Sequence, residues 1–316
     1  MHAAPMGYPR SMTIAPAAAG FYHCISRCVR RAWLCGVDPL SGRNFDHRRA
    51  WIEHRLLDLA QSFAVELYAW AVMSNHTHVV LRVDPDVAAQ WTDADVAIRW
   101  ARLTRMLDAD PAARVHERMQ TLLQQPARLA VIRERLGSVS WFMRFLNECI
   151  ARKANAEDDC TGRFWEGRFR CQALIDEQAV LACMAYVDLN PIRAGIATDL
   201  ADSDFTSIQR RLHALEARPA SAREMLAPLA GGSAPSGPEI TVDGYIDLVR
   251  WSAGYNRQGA VVEPLVPPAL VPTRGSPDWW VGCVARIERV FGCAVGSAAA
   301  LRDFAAATGR RVMRGI

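Results

Sequence analysis

The chain has 316 residues, of which 51% are hydrophobic and 22% charged, proportions that fit a folded globular protein with room for one core and an appendage and that exclude disorder as the default. No stretch approaches the ~18 uncharged apolar residues of a membrane span, residues 1–19 lack the apolar run of a signal peptide and read as a loose leader, and nine cysteines without a Cys-x-x-Cys pair argue for reduced thiols in the cytoplasm. The net charge of +4 selects no partner by itself, but Lys153 is the only lysine among 37 basic residues. Arginine binds phosphate through a planar fork and stacks on bases, although codon usage accounts for much of the bulk count.

In chain order, residues 20–28 (GFYHCISRC) alternate apolar and polar side chains and predict a first strand. Asn44 or Asp46 opens a helix to about Phe63, with Trp51, Ile52, Leu56, Leu57 and Leu59 as its apolar stripe. Residues 65–73 (VELYAWAVM) and 76–83 (HTHVVLRV) predict two strands separated only by Ser74 and Asn75, hence a tight hairpin. Residues 92–136 form a charged helical insertion, broken near Asp110-Pro111. Ser138 or Ser140 begins a helix through Asn155 that carries Phe142, Phe145, Leu146, Cys149 and Ile150 at helical spacing, and a fourth strand follows at residues 169–175. Asp176 caps a short helix that Asn190-Pro191 stops near Leu189.

This order predicts an α+β fold: a ferredoxin-like split βαβ sheet with a helical insertion and one extra helix. The main domain spans 20–215. An Ala/Pro/Gly/Ser-rich linker occupies 216–238, and 239–316 is a small, mainly helical C-terminal module with helices around 242–253 and 280–291.

Two short pieces carry chemistry. His76 and His78 are two apart on a strand, so both imidazoles lie on one face and can converge on one cation. A His-x-His alone is more often a pair of surface or core histidines; its place at the rim of an apolar hairpin sets this one apart. Tyr186 and Asn190, in YVDLNPIRAG, are four apart at a helix end and share a face. An asparagine oxygen is a hard ligand suited to Mg2+ or Mn2+, and a phenol one turn away is within reach of a phosphate held there. Singly, the tyrosine is more often a core aromatic and the asparagine a helix end before proline.

Together with FYHCISRCVRRAWLCG and GRFWEGRFRCQALID, the segments MSNHTHVVL and AYVDLNPIRAG stand in one order along residues 21–208. In that order the chain resembles the single-tyrosine HUH transposases, and within them the REP-associated tyrosine transposases. The resemblance implies that His76 and His78 are metal ligands, that Asn190 is the third, and that Tyr186 is the catalytic nucleophile. Thr77 stands where that family usually has a hydrophobic residue. The implied activity is metal-assisted cleavage and rejoining of single-stranded DNA, near a hairpin or repeat, through a 5′-phosphotyrosine, with Mg2+ or Mn2+ as cofactor. The implied assembly is either a monomer or a homodimer.

Between these pieces, GRFWEGRFR places Arg163, Arg168 and Arg170 among Phe164, Trp165 and Phe169, the mixture a single-strand binder uses for phosphates and bases. Arg27, Arg30 and Arg31 form a second cluster, and Arg193 follows Pro191; all are candidate DNA contacts. Arg310, Arg311 and Arg314 are further basic residues at the C-terminus. His23 reads as structural. The competing readings are a His-x-His metal hydrolase, which needs further His and Asp ligands that do not follow His78, and a DNA-binding protein that has lost catalysis.

Overall fold

The structure, a computed structural model, describes residues 13–14, 18–29, 34–38, 41–103, 111–232, 237–258 and 277–309. Arg30, Arg31, Arg310, Arg311 and Arg314 lie outside the described residues. In chain order the elements are β1 (Gly20–Arg27), α1 (His47–Ser62), β2 (Val65–Val72), β3 (His76–Val83), α2 (Pro85–Gln90), α3 (Asp93–Leu103), α4 (Pro111–Leu123), α5 (Pro126–Leu136), α6 (Val139–Glu157), β4 (Arg170–Leu174), α7 (Glu177–Asp188), α8 (Asn190–Arg193), α9 (Ser207–Ala217), α10 (Val242–Gln258), α11 (Pro277–Val290), β5 (Ala294–Val295) and α12 (Ala298–Ala307). The sheet runs β2-β3-β1-β4-β5. Its first four strands are antiparallel neighbours in the ferredoxin-like arrangement, and β5 adds parallel to β4.

Strand alternation divides the sheet into two faces. On one, Ser26 accepts a hydrogen bond from Asn147 of α6 (2.9 Å) and Trp70 donates from Nε1 to Glu53 of α1 (3.1 Å). There α6 buries Phe142, Leu146 and Ile150 and leaves Phe145 and Cys149 half-buried. Each fully buried side chain of this kind stabilises the fold by about 1.5–3 kcal/mol. The other face carries His23 and His78 and is covered by α7.

The register between β2 and β3 shifts between Leu67 and Ala69, with Tyr68 as the inserted residue. In an unbroken strand Glu66 and Trp70 would share a face. The bulge separates them, so that Trp70 meets α1 while Tyr68, bonded to Glu66 (3.0 Å), packs its ring on Phe21.

The helix starts differ in chemistry. Asp176 caps α7 through its side chain, accepting from Ala179 N (2.8 Å). Asp46 occupies the N-cap of α1 without a side-chain cap bond, because its carboxylate takes Arg49 Nε (3.1 Å) instead. Ser138 likewise makes no side-chain cap to α6. The outer edge of β2 is closed by later chain: Leu67 N donates to Ala230 O (2.8 Å), Leu229 N to Leu67 O (2.7 Å) and Trp70 N to Ser207 Oγ (2.9 Å). All nine cysteines stand as thiols, and among the described residues no helix is long and apolar enough to cross a membrane.

Asp188, at the end of α7, is fully buried. Its Oδ1 accepts from Ser207 Oγ and Ile208 N (3.1 Å), and its Oδ2 from Tyr245 Oη (2.5 Å), which ties α7 to α9 and α10. Burial raises its pKa from 3.8 to about 6, against the hydrogen bonds that favour the charged form. A raised folded-state pKa means that folding takes up a proton, so this group's contribution is fully present below the unfolded pKa and lost as pH rises through the folded one. Lowering the pH from neutrality to below the unfolded pKa should therefore shift the unfolding free energy of the wild type, relative to Asp188→Asn, in favour of the wild type by up to about 3 kcal/mol. Urea denaturation across that range checks it; a pH-independent difference would contradict it.

Candidate active site

The two-residue turn closes with Met73 N donating to His76 O (2.9 Å), so the hairpin places His76 and His78 at the start of β3. His78 is fully buried and His76 half-buried, with ring centroids 4.7 Å apart. From α7, the ring of Tyr186 meets the ring of His78 edge-on at 5.6 Å and that of His23 at 6.0 Å. The sheet and α7 thus bring together three side chains that are up to 163 positions apart in sequence, from His23 to Tyr186.

Hydrogen bonds set the state of the imidazoles. Gln172 of β4 donates from Nε2 to the carbonyls of Phe291 (3.3 Å) and Gly292 (2.9 Å), which turns its Oε1 towards His23 Nδ1 (3.1 Å). An amide oxygen only accepts, so His23 carries its proton on Nδ1 and presents a lone pair at Nε2. That lone pair faces His78 Nδ1 at 2.9 Å, so His78 is protonated on Nδ1 and its Nε2 is left with a lone pair. His78 Nε2 is buried and has no hydrogen-bond partner. Burial lowers the pKa of His23, drives that of His78 well below the ordinary value and pushes His76 down to about 4, opposed in His23 and His76 by the nearby Glu288. Neutral imidazoles with one nitrogen directed by a partner are the form that binds a metal.

Glu288, on α11, was not anticipated from the sequence. Tyr186 donates from Oη to its Oε1 (2.6 Å), His78 Nε2 lies 3.8 Å from the same oxygen, and Arg170 Nη1 is 3.3 Å from Oε2. Burial raises the Glu288 carboxyl, but His23, the Tyr186 hydroxyl and Arg170 outweigh it and hold it below the ordinary value. Burial and the neighbouring carboxylate push the Tyr186 phenol up. His23, which the sequence reads as structural, orients His78, and Gln172 escaped the sequence reading, because cross-strand register has no signature in a single chain. A Glu within a helical stretch carries no distinguishing signal either.

Asn190 opens α8, and its amide nitrogen is buried without a hydrogen-bond partner. With no bond to fix the amide, either end can be turned to a neighbouring group. Among the described residues, no group of three or more His, Cys, Asp or Glu side chains is arranged to hold a metal ion as it stands. The orphaned lone pair of His78, beside a second neutral imidazole, nevertheless fits a divalent cation, provided that further oxygen donors such as Asn190 are recruited.

The candidate DNA contacts divide. Arg193 is half-buried against the tyrosine: it donates to the carbonyls of Val284 and Tyr186, and its guanidinium lies 4.0 Å from the Tyr186 ring centroid. That placement follows from α11 packing over α7. Arg170 is engaged by Glu288 while remaining partly exposed. Phe164 and Phe169 are buried in the core, which removes them as stacking platforms. Arg27, paired across the strands with His76, is exposed, and its carbonyl accepts from Glu166 N (2.8 Å), so the 163–169 loop runs beside the histidine end of the sheet. Arg163 and Arg168 are exposed. Trp165 is half-buried, with Nε1 donating to Asn147 O (2.8 Å).

No family model matches the chain, and no curated protein matches it. Among solved structures, it is similar to a REP-associated tyrosine transposase bound to a REP hairpin, with 13% identity and a TM-score of 0.37 over 70% of this chain and 90% of that one. A likeness this loose carries no functional argument.

The hydrogen-bond chain has a spectroscopic consequence. In 15N-labelled protein, His23 and His78 should both appear as neutral Nδ1–H tautomers at neutral pH, with His76 remaining neutral until the pH falls to about 4. An Nε2–H signal for His78 would refute the assignment.

Proposed function

We propose that this chain is a metal-dependent single-tyrosine transposase that nicks and rejoins single-stranded DNA at Tyr186. The observation that carries this reading is the meeting of the Tyr186 phenol with the buried, lone-pair-bearing imidazole of His78 on one face of the sheet. His76, His78 and Asn190 would hold Mg2+ or Mn2+. Such an ion, when bound, neutralises and polarises a phosphodiester that otherwise repels an oxyanion.

The residues of the chain do the rest. Arg193 stacks on the Tyr186 ring and holds its carbonyl, which fixes the phenol in place. The proton that the phenol must lose already points at Glu288 Oε1. Attack of Tyr186 Oη on phosphorus forms the O–P bond and breaks the bond to the 3′ oxygen, giving a 5′-phosphotyrosine and a free 3′-hydroxyl. The ester energy is retained, so another 3′-hydroxyl reverses the step and joins new ends without a high-energy cofactor.

From the histidine end of the sheet, beside Arg27, the 163–169 loop leads to a groove of about 510 Å³ on the α6 face, opposite the face that carries Tyr186, lined by Trp141, Arg144, Asn147, Trp165 and Arg168, among others. Aromatic side chains beside arginines suit unpaired bases and their phosphates. A hairpin or repeat beside the cleaved strand remains the expected DNA target, from the sequence resemblance.

Incubation with a labelled single-stranded hairpin oligonucleotide and Mn2+ should yield a covalent protein–DNA band on a denaturing gel. That band should disappear in Tyr186→Phe and fall about 100-fold or more in His76→Ala, with DNA binding retained in both. Metal-dependent cleavage without a covalent band would indicate a hydrolase instead, and binding without cleavage a DNA-binding protein that has lost catalysis. For the groove, Arg168→Ala should reduce the slope of log affinity against log salt by about 0.7 for a single strand. Anisotropy titrations over a range of salt concentrations measure this, and an unchanged slope removes Arg168 from the interface.

A further inference from the structure

We propose that Glu288 is itself a ligand of the divalent cation, so that the C-terminal segment completes the centre formed by the paired histidines. This rests on the reading that His76 and His78 bind a cation, and extends it to a residue some 100 positions from Tyr186 (102 between the two).

The argument starts from a mismatch of acceptors. His78 donates from Nδ1 to His23, which leaves only a lone pair at Nε2. The atom it faces, Glu288 Oε1 at 3.8 Å, is a carboxylate oxygen. Two lone-pair-bearing atoms therefore oppose one another in a buried place, too far apart for a hydrogen bond and with no hydrogen-bond partner at Nε2. A cation resolves that opposition. Ligand bonds of about 2.0–2.2 Å on each side span donor separations of about 3–4 Å. Two neutral imidazoles bring no charge to a divalent ion, and a hard ion such as Mg2+ or Mn2+ takes oxygen in preference to nitrogen. A carboxylate supplies both the oxygen and the charge.

The surroundings hold Glu288 in place. Arg170 engages its second oxygen at 3.3 Å, leaving Oε1 directed at His78 and the Tyr186 hydroxyl. The chain on either side is anchored to the sheet and to α8: Arg193 binds the carbonyl of Val284, and Gln172 binds those of Phe291 and Gly292. Helix α11 departs from helical geometry at Arg286, with φ −144° and ψ 26°, two residues before Glu288. Gln172 thus does two things at once. One end of its amide sets the imidazole relay, and the other fixes the segment that delivers the carboxylate.

Mn2+ binding to the full-length protein without DNA, measured by calorimetry or by the loss of the free-ion electron paramagnetic resonance signal, tests this apart from activity. Glu288→Gln keeps the volume and an acceptor for the Tyr186 hydroxyl, and should weaken Mn2+ binding at least about 10-fold, the low end of what even an outer-shell partner contributes. Glu288→Asp, which keeps the charge but shortens the reach, should weaken it less; it also serves if the glutamine variant does not fold. Wild-type affinity in both variants, or tighter binding once the carboxylate is gone, overturns the assignment. If His76→Ala still weakens binding in that case, the histidine reading survives and only Glu288 is removed. A wild-type protein that binds no Mn2+ sinks both.

Discussion

A buried imidazole offers a lone pair in a defined direction only if its other nitrogen is committed as a donor, and the face of this sheet that carries His23 and His78 is organised by that requirement. The carbonyls of Phe291 and Gly292 orient the amide of Gln172, Gln172 orients His23, and His23 orients His78. The backbone carbonyls can only accept, so they fix the amide of Gln172, and each neutral imidazole then takes the tautomer that its neighbour leaves to it. Burial reinforces it, since a charged imidazole in that interior would need solvation that the surrounding apolar strands do not provide. Without this relay, His78 could settle in the other tautomer and present a proton where the proposed metal site needs a lone pair.

The relay begins in the C-terminal segment and ends at the histidine pair, so the late part of the chain belongs to the site as much as the early part does. β5 extends the sheet beside β4, and α11 lies over α7. Arg193 stacks on the ring of Tyr186 and reaches the backbone of α11, and Glu288 accepts the hydroxyl of the same tyrosine. Tyr186 is therefore held at three points: its ring, its carbonyl and its hydroxyl. Two residues further on, at the same end of α7, Asp188 anchors the helix to α9 and α10 through a buried carboxylate. A helix end gripped in this way keeps a phenol at one position relative to the sheet, as the proposed in-line attack on a phosphodiester demands.

The basic and aromatic residues between the two chemical pieces separate into structural and exposed groups by their position along the loop. Phe164 and Phe169 anchor the loop in the core. That leaves Arg163 and Arg168 outside, with Trp165 at the margin and the exposed Arg27 alongside. An alternating sequence of arginines and aromatics does not reveal which members face inward, because the loop has no fixed period; its anchor points decide.

Much of the architecture could be read without coordinates. Strand periodicity in residues 20–28, 65–73 and 76–83, the helical stripe through Phe142, Leu146 and Ile150, and the Asp176 cap identified the elements of a ferredoxin-like sheet in their order, because these signals are local and each residue's neighbours carry them. The histidine pair was legible for the same reason: two positions apart on a strand means one face. The bulge at Tyr68, the two-residue β5, the inward turn of Arg193, the relay through His23 and Gln172 and the arrival of Glu288 were not legible. Each depends on register or on packing between segments far apart in sequence, 149 positions for His23 and Gln172 and 210 for His78 and Glu288. By itself the sequence determined which chemical groups exist and which local face each occupies. Only the tertiary structure decided which groups meet, because the direction of a hydrogen bond or the reach of a carboxylate is set by the partner that folding brings to it.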